Sequence, residues 1–344
     1  MASGADFSGR VDEAWLAQHR EEIIEPELSI VDAHHHLWHR SGNVYLFPEL
    51  LADLSSGHHI RATVFEECGS MYRADGPEEL RSLGETEFVT GVAAMSASGG
   101  FGPTRACAAM VGNVNLNLGS RVEPILDAHI AASGGRFHGI RFSTAWDADV
   151  RVHQTVPRPR MLAEPRFREG FQFLARFDLA FDAWVYHPQL SEIAELAASF
   201  PDTPIVLNHF GSPILGGPNA GRAAEAFAEW RAAMTALASY DNVHVKLGAL
   251  PVRRSGPGRQ AGAPPLSSED IAAAWRPFFE VCVEKFGAHR CMFESNFPVQ
   301  KRWCSYAVLW NACKRLAAGA SASEKSALFS GTAARVYRLP TGLD

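Results

Sequence analysis

The sequence predicts an α/β chain folded as a single (β/α)8 barrel. Eight apolar runs of strand length alternate with longer helical patterns along 344 residues. The runs are nearly continuous in hydrophobicity, as strands buried on both faces of a parallel sheet should be. No Gly-x-Gly-x-x-Gly follows an early strand, which argues against an open, doubly wound nucleotide-binding sheet.

The expected strands are LSIVDAH (28–34), IRATVFEEC (60–68), AMVGNVNL (109–116), FHGIRFS (137–143), AFDAWVYH (180–187), PIVLNHF (204–210), NVHVKLG (242–248) and RCMFESNF (290–297). Helices are expected at 122–133, where proline falls in the first turn, and at 191–200, opened by a capping serine. Longer amphipathic stretches follow at 221–240, 267–287, 306–319 and 321–339. Pro277 falls inside one of them and predicts a kink or restart. Residues 1–27 read as an N-terminal extension and 28–344 as one barrel domain. Two glycine- and proline-rich loops, 211–221 and 253–265, each follow a strand and are candidate lids over the active-site face.

Composition sets the function class. Hydrophobic residues make up 47% of the chain and charged ones 20%, enough for one large core. Net charge is −6 with both signs interspersed, which excludes a nucleic-acid surface and a basic membrane-binding face. Six scattered cysteines without a C-x-x-C pair read as reduced thiols, and the opening residues carry no apolar signal-peptide core. The expectation is a cytoplasmic protein with a small-molecule substrate and no nucleic-acid or membrane partner; a homo-oligomer is compatible with it.

Chemistry in such a barrel gathers at the carboxyl ends of the strands. VDAHHHLW (31–38) reads as Asp-x-His-x-His, because strand alternation puts His34 and His36 together and His35 on the other face. Glu66 and Glu67 end the second strand, Arg141 the fourth, His187 the fifth, Asn208 and His209 the sixth, Lys246 the seventh, Ser295 and Asn296 the eighth. Polar groups ending apolar strands are costly without a partner or a purpose, so this is the candidate site. Tyr72 and Arg73 after strand two, Trp146 beyond strand four, Lys246 and Ser295 are candidates for contacting substrate.

These motifs, with HGIR (138–141), VLNHFGSP (206–213), VHVKLGAL (243–250), RCMFESNFPV (290–299) and the closing FSGTAARVYRL, resemble the amidohydrolase superfamily. The likeness is to its amidohydrolase-related (amidohydrolase 2) barrel branch of small-lactone hydrolases and aromatic-acid decarboxylases, and within that to the lactonase-like subgroup. It covers roughly residues 28–340. It implies a divalent ion held by His34 and His36, often with His187, an assisting His209, and an aspartate ending strand eight that ligates the ion and moves a proton.

Here that last position is Asn296, neutral and without a useful base. Glu67 is the expected replacement as metal ligand or general base, chosen over Glu66 on the resemblance; His209 is the other choice of base. Imidazole-rich ligation favours zinc, with Arg141 available for a developing oxyanion. Metal-free catalysis by side-chain polarisation stays open. The expected function is hydrolysis of a small cyclic ester (lactone) or related carbonyl compound. A metal-dependent non-oxidative decarboxylase of an aromatic or unsaturated acid, and a non-catalytic binding barrel, are the alternatives.

Overall fold

In the computed structural model, which describes residues 11–149, 152–216, 219, 221–250, 263–340 and 342, eight parallel strands follow one another around a barrel. They are β1 (Ile30–His35), β2 (Ile60–Glu66), β3 (Arg105–Gly112), β4 (Phe137–Ile140), β5 (Ala180–Ala183), β6 (Ile205–Leu207), β7 (Val243–Leu247) and β8 (Cys291–Phe293). Each pairs in parallel with the next. The ring closes just past β8: Asn296 N–H donates to the His34 carbonyl at 2.8 Å and His36 N–H to that of Phe297 at 2.8 Å.

The expected strands all form, with shorter ends. β3 begins four residues earlier than its Val- and Asn-containing run suggested, because RACAA pairs with β2 although alanine has little intrinsic preference for strands. β5 stops at Ala183, so His187 lies in a short turn rather than on the strand. The helix through Pro277 is one element, Ser268–Phe286, without a restart. Its N-terminus is fixed by a capping box between Ser267 and Asp270. The sequence patterns gave no warning of the helix Leu83–Ala97 or of the hairpin Trp38–Arg40/Asn43–Tyr45 just after β1.

Inside the barrel, Val31, Ala33, Ala62, Val64, Ala109, Val111, Ala180, Val206 and Met292 form a compact apolar layer. Ala333, Val336, Tyr337 and Leu339 from the C-terminal helical segment join it. That segment also bonds to the strands' starting ends, through Arg338 to His138 and Thr332 to Ala288. One mouth is thus plugged and the chemistry is left to the other. Asp32 fixes the seam, accepting from Ser295 N–H at 2.9 Å, Ser295 Oγ at 2.6 Å and Tyr306 Oη at 2.9 Å. Among the described residues, no helix is long and apolar enough to cross a membrane.

Candidate active site

On four strands the interior layer continues as polar residues two positions further along, because alternation sends residues i and i+2 to the same face. Val64 is followed by Glu66, Ala180 by Asp182, Val206 by Asn208 and Met292 by Glu294. Lys246 lies among them, fully buried, its Nζ 2.6 Å from Asp182 and 2.9 Å from Glu66. Burial works against its charge, but the surrounding carboxylates, Asp182 first, outweigh it and raise its pKa. Tyr337 Oη donates to Asp182 at 2.9 Å, tying the C-terminal plug to this layer.

Above it stand three imidazoles. His34 lies 4.8 Å, ring centre to ring centre, from both His36 and His209. His36 Nδ1 is 2.8 Å from the Glu66 carbonyl oxygen, so it carries the proton and leaves a lone pair on Nε2. His34 Nδ1 lies between Glu294 Oε2 at 2.9 Å and the Lys246 ammonium at 3.4 Å, and its Nε2 turns toward His36 and Arg141. Burial, followed by Lys246 for His34 and by Arg141 for His36, holds both pKa values well below the usual range, so both rings are neutral.

Two imidazole nitrogens and an amide oxygen then meet at one place. His34 Nε2 lies 3.3 Å from His36 Nε2, and Asn296 Oδ1 lies 3.1 Å from His36 Nε2. Zinc bonds of ~2.0–2.1 Å at tetrahedral angles put ligand atoms roughly 3.3 Å apart, so this set fits a divalent ion. A second grouping, His34, His209 and Glu294, spreads over as much as 4.8 Å. There His209 Nδ1 already bonds Glu294 Oε1 at 2.7 Å, so those atoms serve each other better than they serve an ion. Glu294 Oε2 is buried and, despite its approach to His34, has no well-aligned hydrogen bond. Around the imidazoles, among the described residues, four carboxyls (Glu66, Glu67, Asp182, Glu294) meet two cations, Arg141 and Lys246. A bound cation would relieve that imbalance. So does a proton on Glu66, whose carboxyl burial and then Asp182 push up to about 8.

Glu67 and Arg141 line the cavity together, Arg141 Nε donating to Glu67 Oε1 at 2.7 Å. Both glutamates of the pair therefore serve: Glu66 is beneath the imidazoles and Glu67 at the cavity wall. With Glu67 held by Arg141, the base facing the open space is His209, its side chain 12% exposed. The carboxylate of Glu294 takes both its Nδ1 proton and its backbone N–H. Gly248 makes room for that glutamate, since a Cβ there would meet Glu294 Cγ at 2.4 Å.

The other expected residues fall elsewhere. His187 is not brought to the cluster: its Nδ1 accepts from Ile214 N–H at 3.1 Å, its Nε2 faces Glu229 at 4.0 Å, and Trp184 takes the wall position instead. Arg73 pairs with Glu87 at the surface, Tyr72 is 38% exposed, and Trp146 packs against the core behind the wall. Ser295 lies beneath the site, on Asp32. Of the two lid candidates, Ser212–Gly216 lines the cavity, and 253–262 lies outside the described residues. Glu294, Asp182 and Tyr337 are the members missed from sequence.

A model of the amidohydrolase family matches residues 31–339, nearly all of the barrel. The chain belongs to the amidohydrolase family. This amidohydrolase is 32% identical to an uncharacterized protein of Sinorhizobium fredii, over 91% of the chain and 99% of that protein. It is 31% identical to an L-fucono-1,5-lactonase of Burkholderia multivorans, over 61% of the chain and 66% of that enzyme. Among solved structures, an amidohydrolase from Burkholderia multivorans with bound Zn is similar at a TM-score of 0.67 and 27% identity, covering 90% of this chain and 99% of that one. The chain is thus a hydrolase, as its strand-end residues suggest.

Proposed function

We propose that this amidohydrolase opens a lactone by water attack, with His209 as general base. The observation that carries this reading is the Glu294–His209 pair at 2.7 Å beside a cavity-facing guanidinium, Arg141. A carboxylate on Nδ1 fixes the tautomer that leaves Nε2 free to take a proton. His209 removes a proton from water as its oxygen bonds the lactone carbonyl carbon. Arg141, held in place by Glu67, donates to the oxyanion that forms. Collapse of the tetrahedral adduct breaks the ring C–O bond, and His209 returns its proton to the departing alkoxide, giving a hydroxy acid. The lactonase named among the relatives supports this reaction class. His34, His36 and Asn296 would hold a divalent ion, which when bound supplies Lewis acidity at the carbonyl. Their imidazole content and the zinc in the related solved structure favour zinc.

The test is a pH-indicator screen of five- and six-membered lactones, with CO2 release from aromatic acids measured in parallel. Lactone opening that His209→Asn abolishes is the expected result. CO2 release without lactone turnover would replace hydrolysis with decarboxylation.

A further inference from the structure

The cavity is large and mostly apolar for a site that needs only to hold a lactone ring. It measures about 790 Å³, at the upper end of small-molecule sites. Trp38, Phe142, Trp184, Leu250, Val299 and Trp303 are among its apolar lining. A bare lactone ring fills little of that space. That leaves room beside the ring for an extended apolar part of a bound compound.

One charged group stands apart in this wall. Arg40, half-buried, lines the cavity and donates through Nη2 to the Cys68 carbonyl at 3.0 Å. Its guanidinium lies over the Trp38 ring at 4.1 Å, and no carboxylate among the described residues lies within 4.0 Å of it. The other cavity cation, Arg141, is already paired with Glu67. Stacking on an aromatic face holds a guanidinium flat and aims its remaining N–H groups sideways, the geometry that receives a carboxylate.

The position of Arg40 is set by the same chain that carries the candidate metal ligands. His36, Trp38 and Arg40 alternate along the segment, so their side chains share one face. Trp38 stacks on His36 with ring centres 5.8 Å apart, and Arg40 takes the next place at 4.1 Å. Two stacking steps therefore separate the imidazole cluster from the unpaired cation.

We propose that Arg40 is a substrate-specificity residue: the lactone carries an aryl or similarly flat apolar group ending in a carboxylate, which passes the edge of Trp38 and pairs with Arg40. This rests on the lactonase reading and adds to it the class of substrate.

The test uses two δ-valerolactones that differ only in their distal group, one with a 4-carboxyphenyl substituent and one with the isosteric, neutral 4-nitrophenyl. For the wild-type enzyme, kcat/KM should favour the carboxylate compound by about tenfold or more, the scale of one charge-assisted pair. In Arg40→Gln the ratio should fall toward 1, mainly through KM. Arg40→Lys should keep part of the preference, having the charge without the fork. A wild-type ratio near 1, or one unchanged in Arg40→Gln, overturns the assignment and leaves the lactonase reading intact. If neither lactone opens, the lactonase reading fails, and dissociation constants of the two ring-opened hydroxy acids, followed by tryptophan fluorescence, decide in the same way. A carboxylate preference lost in Arg40→Gln supports Arg40, and equal affinities overturn it.

Discussion

Glu294 Oε1 lies 2.7 Å from His209 Nδ1 and also accepts the His209 backbone N–H at 3.2 Å, so one oxygen fixes both ring and backbone. The backbone there is left-handed, with φ of 55°. Glu294→Gln keeps the shape and removes the charge that favours a protonated imidazole. General-base catalysis contributes ~10²–10⁴-fold, so kcat on an accepted lactone should fall by about 10²-fold with KM little changed. A mutant with full kcat would move the base away from His209.

Asn296 stands where the family resemblance implies an aspartate, 3.1 Å from His36 Nε2. Asn296→Asp adds a negative charge among neutral imidazoles and should tighten zinc at least about tenfold, since a favourable charge contact of ~1.4 kcal/mol is one decade. Competition against a chromogenic chelator reads this without reference to activity. An unchanged zinc affinity would show that the ion does not use this position.

Much of this site was legible because its residues end apolar strands: His34, His36, Glu67, Arg141, His209 and Asn296 all gather at one mouth. Parity was the unused signal. Counting by two from Val64, Ala180 and Met292 reaches Glu66, Asp182 and Glu294, the groups that organise the interior. Run lengths alone put His187 on a strand that stops at Ala183, and ESN offers three consecutive polar side chains with no local hint of which turns inward. The barrel itself was readable from Val, Ile and Phe runs. The shifted start of β3 was not, because alanines carry their strand preference in the neighbours they pack against.

Lys246 links Asp182 and Glu66 in a layer shut off from water. Lys246→Met leaves two buried carboxyls without their cation, a loss of the order of 3–5 kcal/mol. Tyr337→Phe removes only the hydrogen bond to Asp182 and should cost about 1.5–3 kcal/mol, as bonds to charged groups do. Urea midpoints should rank wild type above Tyr337→Phe, and that above Lys246→Met. The reverse order would mean that the plug, not the ion pairs, holds this end together.

Removing metal tests the donor set directly. Chelation should lower lactone turnover at least about tenfold, and zinc should restore it, if Lewis acidity at the carbonyl supplies a few kcal/mol. His36→Ala should then lose both zinc binding and the response to chelator. Full turnover after chelation, with the zinc shown to be gone, would leave Arg141 as the polarising group; its Nη1 already lies 3.5 Å from His34 Nε2.

One carboxyl, Glu85, makes a contribution to stability that falls with rising pH, opposite in sign to that of the buried, neutral histidines. Glu85 is buried on the helix Leu83–Ala97 and accepts the N–H groups of Cys68 at 3.1 Å and Ser70 at 2.8 Å, holding the loop after β2 against the cavity. Burial, then the nearby Glu67, push its pKa from an ordinary 4.5 up to about 8. Between those values the folded chain keeps a proton that the unfolded chain releases. Its stabilising contribution is therefore complete below pH 4.5 and is lost as pH climbs to 8. Glu66 contributes in the same direction, so the comparison that isolates Glu85 is wild type against Glu85→Gln, whose amide oxygen still accepts the loop N–H groups. In urea unfolding from pH 5 to 9, the stability of wild type relative to the variant should fall as pH rises. Parallel slopes would mean that Glu85 is ionised throughout and that the loop is held by a carboxylate.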